Sequence, residues 1–224
     1  MLCCKASIFG IKMNNILWKI SKTPIAYEAA LEEMAQIVDL IIAGKHPETI
    51  WLLEHPPLYT AGTSAKKEDL LSEDFLPVHH VGRGGEYTYH GPGQIVGYLM
   101  LDLNTRKKDI RWFVQEIEHW LIETLNDFSI DAGIREGRVG LWVAPNTETK
   151  LQIESKIAAI GIRVKKWVSF HGFALNVSPN LEHYKGIIPC GINDYGVTSF
   201  KALQKNTDLE RIKQKLIKKF EHYF

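Results

Sequence analysis

The sequence is poor in cysteine, and its cysteines are unevenly placed. Only three occur among 224 residues, two of them adjacent at Cys3 and Cys4 and the third at Cys190. Adjacent cysteines cannot anchor a disulfide framework, and an odd number is typical of proteins from a reducing compartment. We therefore expect a cytoplasmic protein whose cysteines are thiols.

The sequence also lacks an excess of either charge and any long hydrophobic run. The 27 basic and 26 acidic residues leave a net charge of +1, which does not favour nucleic acid or a membrane surface as a partner. No apolar run reaches the roughly 18 residues that a membrane helix requires, and the N-terminus has no signal-peptide core. The 45% hydrophobic content instead indicates a soluble globular protein.

Strand-like and helix-like segments alternate without a regular βαβ pattern. We expect one helix with Thr23 as its cap and Gly44 after its end, a second over 109–128, and a third from about Thr207, where Glu210 completes a capping box. Mixed strands with a few packed helices predict an α+β fold with a mixed or antiparallel sheet. Residues 1–14 are interpreted as an extension that is dispensable, and residues 15–224 as a single domain.

The segment from Gly82 to Tyr98 contains six glycines together with Arg83, Thr88, His90 and Gln94. Glycines cluster where a backbone turns with positive φ or approaches a ligand closely. A tight hairpin is the simpler reading, but a hairpin needs only one or two glycines. The surplus of glycines and polar groups favours a loop that cradles a ligand.

Two further residues have both a structural and a chemical interpretation. Lys156 lies in the apolar run "KIAAIGI", where it is either an edge residue that extends to solvent or an amine held in a pocket. Cys190, between Pro189 and Gly191, is either a buried filler or a thiol made nucleophilic by a nearby cation or histidine. Lys156, His90 and His171 are the candidate neighbours, and the sequence leaves open which of them is close.

Five segments in order resemble the motifs of one family. "EHPPLYTAG", "RGGEYTYHGPGQIVGY", "KIAAIGIRV", "HGFALNV" and "IIPCGI" are similar to those of the lipoyl(octanoyl) transferases, the octanoyltransferases of lipoate biosynthesis. The resemblance extends over nearly the whole chain, from about Ile16 to Ser199. It implies a fold of the biotin/lipoate protein ligase type and an acyltransferase activity.

The resemblance also implies roles for individual residues. Cys190 would carry the acyl group as a thioester, and Lys156 would lower the pKa of that thiol and shuttle protons. The substrate-binding residues would be Arg83, Gly84, Gly85, Glu86, Tyr87, Thr88, Tyr89, His90, Ala159, Ile160, Gly161, Gly172, Phe173 and Ala174. We further expect the small residues Ala158, Ala159 and Gly161 to leave a slot open for an eight-carbon tail.

The implied reaction moves an octanoyl group from octanoyl-acyl carrier protein to a lysine of a lipoyl domain. The acceptors would be lipoyl domains of 2-oxoacid dehydrogenases and the glycine-cleavage H protein, and the enzyme would be a monomer. A thioester is already reactive, so neither a metal nor another cofactor is expected.

Three other functions remain open at this point. An ATP-dependent lipoate or biotin protein ligase would share the fold but would need no thiol. A cysteine hydrolase would discharge the acyl group onto water, and a non-catalytic module would only bind the acyl group or the carrier protein. A zinc site made by Cys190, His90 and His171 lacks any paired ligand spacing.

Overall fold

A computed structural model describes residues 8–13, 16–72, 74–145, 151–189 and 195–224. Within these ranges the chain forms strands, three helices and two short 3-10 turns, Lys67–Asp69 and Leu181–Gly186. The helices and strands follow in the order β1 (Ile8–Met13), β2 (Ile16–Ser21), α1 (Tyr27–Ile42), β3 (Thr49–Leu53), β4 (Leu58–Ala61), β5 (Val78–His80), β6 (Tyr87–His90), β7 (Gln94–Met100), α2 (Ile110–Asn126), β8 (Ala132–Arg135), β9 (Arg138–Val143), β10 (Ser155–Lys165), β11 (Val168–Asn176), β12 (Gly196–Val197) and α3 (Leu209–Phe220).

The strands form a large mixed sheet and a small one. The large sheet has the order β1-β2-β3-β7-β11-β10-β9-β8, and β12 pairs with β10 beside it. Its neighbours are antiparallel except for the parallel pairs β2–β3 and β10–β12. The small sheet has the order β5-β4-β6. The α+β architecture with a mixed sheet is therefore confirmed.

Helices cover both faces of the large sheet, which explains why every residue of β3 and β7 is buried. On one face α1 packs Met34 and Val38 against the sheet. On the other face α2 and α3 contribute Trp120 and Phe220, whose rings meet edge to face at 5.3 Å. The sheet thus forms the central layer of a three-layer domain.

Helix α1 begins at Tyr27, so the prediction of Thr23 as its cap is wrong. The residue before the helix is Ala26, which provides no side-chain hydrogen bond. The preceding segment is held away from helical geometry because the Ile25 amide donates to the Glu54 carbonyl at 2.8 Å. The end of the helix is as predicted: Gly44 has φ +67° and donates its amide to the Ile41 carbonyl.

The other two helices are capped by aspartates. Asp109 accepts from the Trp112 amide at the start of α2, as its position in the predicted helix indicates. In α3 the cap is Asp208, which accepts from the Arg211 amide at 2.7 Å, so the prediction of Thr207 is wrong by one residue. None of the helices within the described ranges is long and apolar enough to span a membrane.

Strand β1 belongs to the sheet although it lies in the segment interpreted as an extension. It pairs with β2 over its full length, from Ile8 opposite Ser21 to Met13 opposite Ile16, and forms one edge. The dispensability of residues 1–14 stays a prediction.

Strands β7 and β11 approach each other closely at two glycines. Gly172 lies opposite Tyr98, and a Cβ added to Gly172 would stand 2.0 Å from the Gly97 carbonyl oxygen and 2.6 Å from Leu99. Both contacts are far inside van der Waals distance, and the first is with a backbone atom that cannot rotate away. The position therefore requires glycine.

We expect Gly172→Ala to destabilise the protein by about 1–3 kcal/mol, because the strands would have to separate to admit the methyl group. Urea unfolding monitored by tryptophan fluorescence measures the change. Gly84→Ala is the matched control, since its added Cβ would meet nothing closer than 3.7 Å. Equal stability of the two variants would contradict this account of the strand contact.

Candidate active site

A cavity of about 270 Å³ opens on the α1 side of the large sheet, where the small sheet and its loops lie over β10 and β11. Seven parts of the chain line it: the start of α1, the loop after β4, the glycine-rich loop with β6, β7, the β8–β9 turn with the start of β9, β10 and β11. The lining residues are Tyr27, Ser64, Arg83, Gly85, Glu86, Tyr87, Thr88, His90, Val96, Tyr98, Gly137, Arg138, Val139, Lys156, Ala159, Ile160, Gly161, His171, Gly172, Phe173 and Ala174.

The three segments singled out by sequence do converge in space. The glycine-rich loop, the run after Lys156 and the "GFA" triplet of β11 all contribute to the same walls. Sequence analysis missed Tyr27, Val96, Tyr98 and Val139, because they reach the cavity only through the packing of α1, β7 and β9. Sequence analysis named His171 as a candidate neighbour of Cys190, and it lines the cavity.

Arg83 holds the loop rather than projecting its charge into the cavity. Its guanidinium donates to the carbonyl oxygens of Thr60, Gly84 and Glu86 at 2.9–3.0 Å and to the Thr60 hydroxyl at 2.6 Å. A buried guanidinium needs such partners because its charge cannot be left unsolvated. The side chain therefore fixes the shape of the loop against β4.

The glycine-rich loop lies directly on β10. The Gly84 amide donates to the Ile162 carbonyl at 3.2 Å. A Cβ added to Gly161 would stand 2.9 Å from Arg83 Cδ and 3.1 Å from the Gly84 oxygen. Gly161 is therefore small so that the loop can approach the strand.

Two residues predicted near the substrate face elsewhere. Ala158 packs in the hydrophobic core beneath α2, on the opposite face of the sheet, so the expectation that it opens the acyl slot is wrong. Tyr89 is fully buried beside Tyr59 and Tyr184, and its hydroxyl bonds to His183 Nδ1 at 2.9 Å. Tyr89 therefore supports the loop from below.

Lys156 is a buried residue of the sheet interior. It lies in β10 between β9 and β12, and only 7% of its surface is exposed. Its Nζ donates to the Val139 carbonyl at 2.9 Å and stands 4.7 Å from the centre of the Trp142 ring. The interpretation as an edge residue extending to solvent is wrong, and the amine faces the cavity.

Cys190 lies outside the described residues, but the chain on both sides of it is described. Before it, Ile187 bridges to Leu70, and the Ile188 amide donates to the Asp69 carbonyl at 2.7 Å. After it, Val197 pairs with Lys156 itself. The chain that follows Cys190 therefore returns alongside the strand that carries Lys156.

A cluster of histidine and tyrosine side chains closes the end of the cavity away from Lys156. His55 Nδ1 is 2.7 Å from the Ile25 carbonyl, and its Nε2 is 2.8 Å from the Tyr98 hydroxyl. His90 Nδ1 is 2.8 Å from Gln94 Oε1. The Gln94 amide nitrogen must donate to the Tyr89 carbonyl, so its oxygen accepts and His90 carries its proton on Nδ1.

His171 has an unusual backbone within this cluster. Its φ is +61°, a left-handed value that costs free energy in a non-glycine residue, and its amide points at Met34 Sδ, 3.2 Å away. Burial, with smaller effects from the Arg83 and Arg163 charges, lowers the pKa of His171 to about 3. Burial likewise lowers the pKa of His55 to about 4 and that of His90 well below its usual value. All three rings are neutral at physiological pH.

Among the described residues, no group of three or more histidine, cysteine, aspartate or glutamate side chains could hold a metal ion. His90 and His171 both line the cavity, while the third ligand of the conceivable zinc site, Cys190, lies outside the described residues.

The chain and its fold match those of known proteins. A family model described as the lipoyl protein ligase A/B catalytic domain matches residues 25–221. A bi-partite lipoate protein ligase of Thermoplasma acidophilum superposes with a TM-score of 0.64 at 14% identity, covering 90% of this chain and 82% of that one. Biotin protein ligase of Aquifex aeolicus gives a TM-score of 0.52 at 12% identity, covering 94% and 70%. The chain belongs to the lipoyl protein ligase A/B catalytic-domain family, and the expected ligase-type fold is confirmed.

Relatives with higher sequence identity indicate the activity within this family. An octanoyltransferase of Bartonella quintana is 54% identical over 211 residues, covering 92% of this chain and 86% of that protein. The octanoyltransferase of Rhodospirillum rubrum is 51% identical over 207 residues, covering 92% and 94%. Within the class, the chain is therefore an octanoyltransferase-family acyltransferase, and the resemblance seen in its motifs is confirmed.

The buried neutral histidines predict how stability depends on pH. Their pKa values in the folded protein lie below the unfolded value of about 6.5, so the unfolded chain binds more protons between about pH 4 and 6.5. The contribution of these neutral histidines to the free energy of unfolding is therefore fully present above pH 6.5. It falls as the pH approaches 4, by up to about 1.4 kcal/mol per pH unit for each histidine.

Urea unfolding at pH 7, 6 and 5 measures the slope with which the free energy of unfolding depends on pH. His171→Gln should reduce it, with the exposed His222→Gln as control, and an unchanged slope in His171→Gln would contradict the assignment.

Proposed function

We propose that this octanoyltransferase works through a thioester on Cys190, taking its acyl group from octanoyl-acyl carrier protein and passing it to the ε-amine of a lysine on a lipoyl domain. The observation that carries the proposal is the position of Lys156. Its amine is buried at the cavity wall, on the strand next to the segment that follows Cys190. A cation so placed favours a thiolate over a thiol.

In the first step the Cys190 thiolate attacks the carbonyl carbon of the octanoyl thioester. A carbon–sulfur bond to Cys190 forms, and the bond to the carrier's sulfur breaks. The carrier leaves as a thiolate, and the Lys156 ammonium supplies the proton that makes it a thiol. A positioned proton donor of this kind assists departure of the leaving group.

In the second step the acceptor lysine, as a neutral amine, attacks the acyl-enzyme carbonyl. An amide bond forms, the Cys190 thiolate leaves, and the amine loses a proton to the neutral Lys156. Both partners then return to their starting charges. The overall exchange is balanced, and the energy comes from converting a thioester into an amide.

The acyl chain would lie along β10 and β11, between Lys156 and the histidine cluster. Ala159, Ile160, Val96 and Ala174 supply apolar surface there. Apolar walls with a few convergent polar groups are typical of sites for small organic groups. Loop residues 83–90 would cover the chain, because Arg83 holds them over the strand.

The proposed partners follow from this chemistry. The donor is octanoyl-acyl carrier protein, and the acceptors are lipoyl domains of 2-oxoacid dehydrogenases and the glycine-cleavage H protein. We propose a monomer that works in the cytoplasm, where thiols stay reduced. Neither step calls for nucleotide activation, which separates this scheme from that of an ATP-dependent ligase.

We expect intact-mass spectrometry to detect an octanoyl adduct after incubation with octanoyl-acyl carrier protein in buffer without ATP. Hydroxylamine should remove the adduct, because thioesters are sensitive to it, and Cys190→Ala should not form it. Cys3→Ala with Cys4→Ala is the matched control and should acylate normally. A hydroxylamine-sensitive adduct on Cys190→Ala would overturn the assignment.

The same experiment separates the alternatives. A ligase would require ATP and free acid, a binding module would form no adduct, and a hydrolase would release octanoate at full rate without any lipoyl domain.

We expect Lys156→Met to move the pH dependence of Cys190 alkylation upward by about one pH unit or more, because the thiolate loses a neighbouring cation. Iodoacetamide labelling of Cys190, followed by peptide mass spectrometry between pH 5 and 10, measures the profile. Lys165→Met makes the same change at the exposed end of β10 and is the control. If the Lys156→Met profile coincides with that of the control, Lys156 does not act on the thiol.

A further inference from the structure

One peptide group connects Lys156 to a buried carboxylate on α2. The carbonyl of the peptide between Val139 and Gly140 accepts from Lys156 Nζ at 2.9 Å. The amide of the same peptide donates to Glu118 Oε1 at 3.1 Å. The two hydrogen bonds lie on opposite sides of a single planar unit, which conducts polarisation from one to the other.

The orientation of this peptide depends on an irregular backbone conformation at Gly140. Gly140 has φ +108°, a conformation that side-chain-bearing residues rarely adopt, and a Cβ there would stand 2.5 Å from the Ala158 oxygen. The pairing of β9 with β10 shifts register between Lys156 and Ala158 at the same level. The irregularity turns a carbonyl toward the cavity and an amide toward α2, where an undistorted ladder would pair both with neighbouring strands.

Glu118 is an unusual occupant of its site. It is only 3% exposed and lies on the side of α2 that packs against the sheet. Burial raises its pKa, while the Gly140 amide and the charges of His119 and Lys156 act in the opposite direction. A buried carboxylate normally costs free energy unless partners compensate it, which indicates a purpose beyond packing.

We propose that Glu118 is a positioning residue for the acyl transfer: through the Val139–Gly140 peptide it holds the Lys156 amine in place at the cavity wall. The inference rests on the proposed function in giving Lys156 a chemical role. Glu118 touches neither substrate nor thiol. Its negative charge strengthens the Val139 carbonyl as an acceptor and attracts the ammonium through the sheet.

The charged groups around the connection from Glu118 through the Val139–Gly140 peptide to Lys156, here called the relay, support this assignment. The other cation nearby, Arg138, pairs with Glu154 at 2.7 Å, and its guanidinium lies 4.5 Å from the centre of the Trp142 ring. Glu154 is also paired with Arg135. The carboxylate of Glu154 is thus already engaged with two arginines, whereas burial raises the pKa of Glu118 and the charge of Lys156 acts on that carboxylate to lower it.

Glu118→Gln is the decisive variant, because its amide oxygen can still accept from Gly140 while the charge is lost. Acetylation of Lys156 by acetic anhydride at pH 7.5, normalised to exposed Lys166, should become about threefold to tenfold faster, because the Val139 carbonyl becomes a weaker acceptor and holds the amine less firmly. The Cys190 alkylation profile should move upward by about half a pH unit. Glu116→Gln removes a charge from the same helix and should behave as wild type in both assays.

A second measurement leaves Glu118 intact and so does not depend on folding of the variant. The Gly140 amide proton of ¹⁵N-glycine-labelled protein should shift upfield in Lys156→Met, since its peptide is less polarised when the carbonyl loses its donor. Lys165→Met should leave that resonance in place. An unmoved Gly140 resonance in Lys156→Met would contradict the relay.

The outcomes separate this inference from the function on which it rests. If Glu118→Gln folds and shows wild-type Lys156 acetylation and thiol profile, Glu118 is only a structural acceptor, and the relay is overturned even though acyl transfer proceeds. If Lys156 acetylation and the Gly140 resonance respond as expected but wild-type protein forms no octanoyl adduct, the relay stands and the thioester mechanism falls.

Discussion

The hydrogen bonds of the buried Arg83 guanidinium determine the shape of the part of the site that lies over the large sheet. They tie the glycine-rich loop to β4 of the small sheet. The loop in turn rests on β10 through Gly84 and the side-chain-free surface of Gly161. Without the Arg83 guanidinium the glycine-rich loop would not be held over β10 and β11. An acyl chain bound along these strands would then be exposed to water.

The large sheet forms one wall of the cavity, and its glycines allow neighbouring strands to approach closely. At Gly97 and Gly172 the strands β7 and β11 come closer than side chains would permit. The histidine cluster then closes one end with neutral, hydrogen-bonded rings. An end closed by neutral rings and an opposite end that holds the Lys156 amine suit a substrate with an apolar tail and a reactive carbonyl.

Local pattern was enough to predict the helices, the mixed sheet and the glycine-rich loop, whereas the triplets of β10 and β11 that line the cavity were implied by the family resemblance. It failed where distant partners decide the outcome. Thr23 has good capping chemistry, but the contact of Ile25 with Glu54 delays the helix. The sequence around Lys156 is typical of an edge residue. In the fold, however, β12, about forty residues later in the chain, pairs with β10 at Lys156 and helps to bury it. Glu118 has the spacing of an ordinary helix residue, and only the fold of β9 gives it a partner.

The peptide between Val139 and Gly140 has a consequence for how variation in this enzyme is interpreted. Electrostatic coupling between two buried groups is usually attributed to a series of contacting side chains, each of which a substitution can remove. In the connection proposed between Glu118 and Lys156 the linking element is the main chain, which every sequence possesses, so exchange of the Val139 side chain would leave the linking peptide in place, although Val139 also lines the cavity. Only Gly140 is irreplaceable, for its backbone angle rather than its chemistry. The proposed electrostatic path therefore runs through main-chain atoms, which a side-chain substitution does not remove.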